Sequence, residues 1–201
     1  MIVVDIPSLL PLASSLSPPL SLSGQLLVAS RKLRDPNFQR TIVLLLEHND
    51  DGALGVVLNR QVDRTIEQVW DTVEFDPCDC QQQLNQGGPV PGPLIALHTS
   101  KELSEKRILP GLYMSMQKQT VDPLVRQDKH PFRLYTGNSG WGGGQLEGEL
   151  TQGGWLTTPA AVSDVFADPD EIWEEVVNRI ALGVLLPGRN PATVPDDPSL
   201  N

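Results

Sequence analysis

Five glycines fall within the eight residues Gly137–Gly144, inside the stretch YTGNSGWGGGQLEGELTQ that runs from Tyr135 to Gln152. Residues without a Cβ reach φ > 0 and let the backbone come close to a neighbour. Set between a short apolar run and a helix-compatible one, such a turn can aim N–H groups at an anion. The phosphate motifs are incomplete, however. A P-loop needs G-x-x-x-x-G-K-[ST] and no lysine follows these glycines, while a dinucleotide fingerprint starting at Gly140 needs a glycine where Gln145 stands. As a ligand site the stretch offers Gly140, Trp141, Gly142 and Gly144, with Arg60 as a planar bidentate donor from the end of a sheet. The competing reading is a tight strand-to-helix connection whose glycines let Trp141 fold back into the core.

Other reactive types are sparse. Ser139, in Gly137-Asn138-Ser139-Gly140-Trp141, falls one position short of the G-x-S-x-G nucleophile elbow. An α/β-hydrolase triad places its histidine after the serine, and the last histidine here is His130. Ser139 therefore suits a turn or a helix cap, and no catalytic residue is assigned. Cys78 and Cys80 with His48, His98 and His130 could make four ligands, but zinc pairs favour C-x₂₋₄-C spacing and no second pair exists. No metal or other cofactor is assigned.

A polar constellation is the second candidate site. Asp35, Asn37, Arg40, Glu47, His48, Asn59 and Arg60 all lie at the ends of the same two or three expected strands. They are read either as a sheet-end site or as a network tying loops to the sheet through charge-assisted hydrogen bonds.

The elements that must position these residues follow from periodicity. Residues 25–30 (QLLVAS), 41–47 (TIVLLLE) and 53–59 (ALGVVLN) are strand-length apolar runs, the second apolar on both faces and so expected at a sheet centre. HNDDG at 48–52 is a hairpin loop, and Gly55 marks a bulge or a close neighbour. Residues 64–75 shift to helical spacing with a Thr65-x-x-Gln68 capping box. Strands are expected near 84–88, 93–99, 111–116, 132–136 and 154–158, and short helices at 120–129, starting near Pro123, and at 145–151. A final helix opens at Asp168-Pro169 with Ile172, Val176, Val177 and Ile180 on its inner face, and Gly183 is expected to stop it. Trp70 and Trp173 are expected to be buried.

Strands and helices without regular alternation predict an α+β fold, a single domain around a large mixed β-sheet with flanking helices. The domain is set at residues 24–186. Before it lies a flexible Ser/Pro/Leu-rich arm at 1–23, and after it a Pro-rich flexible tail at 187–201. No apolar run approaches the ~18 residues a membrane span requires. The cysteines are too close for an unstrained disulfide, and a reducing cytoplasm is expected. The formal charge is −10, so the surface repels phosphate backbones. The densest basic spot, Arg31-Lys32-Leu33-Arg34, adjoins Asp35 without a recognition motif, and direct DNA binding is not expected.

Several blocks in order carry a family pattern: GQLLVA from Gly24, DPNF from Asp35, the strand into Glu47-His48, GALGVVLNR from Gly52 to Arg60, GGPV from Gly87, Gly140-Trp141-Gly142, Gln145-Leu146-Glu147 and Gly154-Trp155-Leu156. The chain resembles the YqgE/AlgH family of uncharacterised bacterial proteins over roughly residues 24–185. The resemblance implies one α+β domain with a large, partly barrel-like sheet and a cytosolic protein, and it brings no agreed catalytic residues. The function expected is therefore that of a non-enzymatic cytosolic binding or regulatory protein, its partner a protein or a small anionic ligand. The rival is an enzyme or a nucleotide- or phosphate-responsive protein using the Gly137–Gly144 loop.

Overall fold

The computed structural model describes residues 21–33, 35–70, 72 and 76–185. The arm before Ser21 and the tail from Pro187 lie outside the described residues. In chain order the strands are β1 (Gln25–Ala29), β2 (Ile42–Asn49), β3 (Gly52–Val57), β4 (Gln61–Thr65), β5 (Gln83–Gln86), β6 (Ile95–His98), β7 (Lys106–Leu109), β8 (Leu112–Ser115), β9 (Phe132–Thr136), β10 (Ser139–Gly142) and β11 (Trp155–Pro159). The helices are α1 (Ile66–Trp70), α2 (Lys118–Val125), α3 (Gln145–Thr151), α4 (Val162–Phe166) and α5 (Ile172–Leu185). The strands form two sheets in one α+β domain. One is antiparallel, ordered β10-β3-β2-β1-β11. The other is mixed, ordered β4-β5-β9-β6-β8-β7, with β5 and β9 parallel. The sheets are not closed into a barrel.

Strand alternation explains the layering. In β2, Ile42, Leu44 and Leu46 face one way and Val43 and Leu45 the other, and all five are buried. The first set meets Leu97, Met114 and Tyr135 of the mixed sheet, with α4 and α5 closing the edge of this inner core. The second set meets Phe38, Trp141, Leu146 and Trp155 in an outer core. The far face of the mixed sheet packs Ala96 and Leu134 against Trp70 of α1 and Leu124 of α2. Burial on both faces is why β2 reads as an unbroken apolar run.

Local signals locate several boundaries. Asp51 N bonds the side chain of Asn49 in the two-residue turn between β2 and β3. Gly55 is forced by a close neighbour, since a Cβ there would lie 2.7 Å from Val43 and 2.8 Å from the Leu44 carbonyl oxygen. The Thr65/Gln68 capping box forms in both directions.

Other expectations are corrected. The glycine stretch is not a loop throughout, because Ser139–Gly142 pairs with β3 as an edge strand. β4 and β7 (QVDRT and KRIL) carry no strand-like apolar alternation and gain their place by pairing with β5 and β8. α2 starts at Lys118 and holds Pro123 inside it, because Glu105 accepts the amides of Met116 and Gln117 and so anchors the helix start from another element. α5 runs through Gly183, where nothing lies within 4 Å of the missing Cβ, at the ~1 kcal/mol propensity cost of an exposed helical glycine. Trp173 is only half-buried, with the Arg40 guanidinium 5.9 Å from its ring centroid.

Candidate functional site

The glycine stretch carries the chain out of β9 in the mixed sheet and into β10 on the edge of the antiparallel sheet. Gly137 makes the turn at φ +68°, where a Cβ would sit 2.8 Å from the Gly88 carbonyl oxygen. Ser139 is fully buried, and its hydroxyl donates to the Gly87 carbonyl oxygen at 3.1 Å. Trp141 turns inward and stacks on Phe38 at 6.1 Å, with Trp155 edge-on to both rings. Glu149 lies beneath this aromatic group and accepts both indole N–H groups on one carboxylate oxygen, at 3.1 Å from Trp141 and 2.7 Å from Trp155.

That arrangement does not assemble Gly140, Trp141, Gly142 and Gly144 with Arg60. Gly142 pairs with Gly52 at the start of β3, whereas Arg60 follows the far end of that strand, so the two are separated by its full length. The Gly142 amide is occupied by the Gln145 side chain at 3.1 Å. Gly144 caps α3 in the left-handed region at φ +74°, and α3 is a helix of only seven residues. The pairing of β10 along β3 is a long-range fact, and no local pattern reported which end of the hairpin Trp141 would meet.

The polar constellation is likewise divided between the two ends of the β2–β3 hairpin. At one end, Asp35 accepts the Asn37 amide at 2.9 Å and starts the 3-10 turn Pro36–Phe38. Asn59 accepts the Ile42 amide and donates to the Arg40 carbonyl, each at 2.9 Å, holding Arg40 at φ +54°. Arg60 donates to the Gln39 carbonyl oxygen at 3.1 Å. At the other end, Glu47 pairs with Lys106, and His48 donates Nε2 to Glu147 at 2.7 Å. His48 Nδ1 accepts the Leu22 amide at 3.1 Å, which makes the ring a neutral Nε2–H tautomer clipping the start of the domain. Beside His48, the Glu147 carboxyl is held below its ordinary value by its own backbone amide first, and then by the histidine. An antiparallel hairpin separates residues that flank its two strands on opposite ends, so Glu47 and His48 do not join the others.

The Arg60 end holds a recess of about 100 Å³. Its walls are Pro36 and Asn37 of the 3-10 turn, Val57 at the end of β3 with Arg60 after it, and Gln86 at the end of β5 with Gly88 and Pro89 after it. Its bond to Gln39 directs the Arg60 guanidinium toward the chain leading out of the 3-10 turn. Arg60 is the one charged residue among those lining the recess, and among the described residues it makes no ion pair. Gly88 is required by the close run of two backbones. At φ +153° its Cβ would lie 2.3 Å from the Asn138 carbonyl oxygen and 2.4 Å from the Ser139 hydroxyl. The sequence had marked Asn37 and Arg60 as polar candidates, but Gln86, Gly88 and Pro89 went unassigned. Their only signal was the glycine-proline run after β5.

None of the remaining histidines and cysteines lines the recess. His98 is fully buried and shares a hydrogen bond of 3.1 Å with Ser115, whose hydroxyl donates to the Leu103 carbonyl. With its single proton on Leu103, Ser115 accepts from His98, the reverse of a nucleophile handing its proton to a base. Burial lowers the His98 pKa against a smaller opposing effect of the nearby Ser100 backbone. Cys78 and Cys80 are free and half-buried, and burial raises the Cys80 thiol. Among the described residues, no three His, Cys, Asp or Glu side chains group as metal ligands. No helix among them is long and apolar enough to cross a membrane.

The family model DUF179, described as AlgH-like, matches residues 26–184. The chain belongs to this AlgH-like family. A UPF0301 protein of Streptomyces coelicolor is 35% identical over 193 residues, covering 90% of this chain and 96% of that protein. A UPF0301 protein of Chlorobaculum tepidum is 34% identical over 182 residues, covering 83% of this chain and 95% of its own length. The solution structure of the AlgH protein from Pseudomonas aeruginosa superposes with a TM-score of 0.70 at 30% identity, covering 87% of this chain and 97% of that one. A crystal structure of a Corynebacterium diphtheriae protein gives 0.64 at 27% identity, covering 78% and 85%. The blocks DPNF, LNR and GGP, far apart in sequence, meet around the recess through Pro36, Asn37, Arg60, Gly88 and Pro89.

Proposed function

We propose that this AlgH-like protein is a non-enzymatic cytoplasmic binding protein, with regulation through the bound partner as its role and the Arg60 recess as its site for an anionic group. The observation that carries the reading is one guanidinium, without a carboxylate partner among the described residues, in a recess otherwise lined by two amide side chains, a glycine, a valine and two prolines. Guanidinium and amide donors complement an oxygen anion. At about 100 Å³ the recess is smaller than the ~300 Å³ of ordinary small-molecule pockets, so it takes a terminal group and not a whole nucleotide. Two free cysteines support a reducing compartment. The Gly137–Gly144 loop gains no comparable support, since its Gly142 amide is occupied and its tryptophan is packed.

Thermal unfolding with a panel of acetate, phosphate, sulfate and nucleotides tests the reading. A ligand at 100 times its dissociation constant adds ~2.7 kcal/mol of stability. The expected result is a saturable rise in melting temperature with at least one simple anion, lost in Arg60→Gln. A flat response across the panel overturns it.

A further inference from the structure

The chemistry of the recess narrows what it takes. Resting on the binding reading above, we infer that the recess selects a carboxylate on a short aliphatic stem and discriminates against phosphate. Charge is the first reason. A phosphate monoester carries about −1.5 to −2 at neutral pH, whereas the recess offers the single positive charge of Arg60. The chain's own charge of −10 adds repulsion that a second ligand charge would feel.

Geometry is the second reason. Arg60 spends one Nη2 contact on the Gln39 carbonyl oxygen, which fixes the plane of the guanidinium and leaves its other donors for a planar two-oxygen acceptor. Among the described residues, neither the Asn37 nor the Gln86 side-chain amide has a hydrogen-bond partner, so each can add a donor. The third reason is the wall. Pro36, Val57 and Pro89 give apolar surface that suits a methylene stem, and a recess of about 100 Å³ has room for a small group such as a carboxylate and its adjoining carbons. Val90, 44% exposed beside Pro89, extends this apolar rim outward. Free organic acids and acidic side chains of a polypeptide share this chemistry.

Two-dimensional amide NMR of the full chain tests the inference, with Gly88 and the Asn37 and Gln86 side-chain amides as reporters. The probes are acetate, glutarate and inorganic phosphate at matched ionic strength. A blocked Gly-Gly-Glu-Gly-Gly peptide and its Gln counterpart complete the set. Carboxylates should shift the reporters saturably, with phosphate at least about tenfold weaker. Arg60→Gln should abolish the response. Asn37→Asp, which puts a carboxylate in the wall without touching Arg60, should weaken it by about tenfold with the fold intact. A Glu peptide tighter than acetate assigns the source to a polypeptide, and equal affinities assign it to free acids. Phosphate binding as tightly as the carboxylates overturns the carboxylate inference and leaves the anion site standing. Silence of all reporters with every probe overturns both.

Discussion

Trp155 donates its indole N–H to Glu149 at 2.7 Å, so the outer core, which already holds Leu146 of α3, is also bonded to a carboxylate of that helix. The same carboxylate oxygen serves Trp141. Glu149→Ala strands the indole donors of two buried tryptophans, and the expected loss is roughly 1–3 kcal/mol in urea unfolding. Glu149→Gln keeps an acceptor oxygen and should lose less. Equal denaturation midpoints for the parent and both variants would show that the indoles are satisfied by solvent.

The two helix tryptophans should differ. Trp70 is fully buried and donates to Asp122 at 3.3 Å. Its replacement by alanine is expected to cost ~3–5 kcal/mol, as for other large aromatic side chains cut from a core. Trp173 is half-buried under Arg40, and its alanine variant should cost clearly less. Matching losses in chemical denaturation would contradict the burial difference.

Gly88 and Gly142 make a contrasting pair. A Cβ at Gly88 meets the Asn138 carbonyl oxygen at 2.3 Å in a backbone conformation that other residues avoid. Gly88→Ala should therefore lose about 2 kcal/mol or more and distort the recess. Nothing lies within 4 Å of a Cβ at Gly142. A surface change of that kind should stay within about 0.5 kcal/mol of the parent, and this is the expectation for Gly142→Ala. Thermal melts of the two variants decide the order.

His98 gives the stability a pH dependence of known sign. Burial first, against a smaller opposing effect of the Ser100 backbone, lowers its pKa below the ordinary 6.5. The unfolded chain then binds the proton more readily than the folded one. Its contribution is complete above pH 6.5 and is lost as pH falls from there through the lowered folded value. In denaturant unfolding at a series of pH values, His98→Gln should flatten this limb. An unchanged slope would remove His98 as its source.

Much of the architecture was legible in the chain. The two-faced apolar run predicted β2 at the sheet centre, because a strand with a core on each side needs no polar alternation. The Thr65/Gln68 box and the α3 boundaries followed from signals a few residues long. β4, β7, the start of α2 and the passage through Gly183 were not legible, since each depends on a distant partner or on open space.

The sequence alone determined the family pattern, the α+β class, the burial of β2 and the polar residues available for a site. Only the tertiary structure decided which of those residues meet. Pairing β10 along β3 sends Trp141 to the outer core and away from Arg60, and the antiparallel hairpin puts Glu47 and His48 a strand length from Asn37 and Asn59. It also brings Gly88 and Pro89, distant from Asn37 along the chain, to the same recess as Arg60. Local patterns report neighbours within a turn or a strand. Contacts across a sheet are set by register, a property of chain segments that sequence distance does not record.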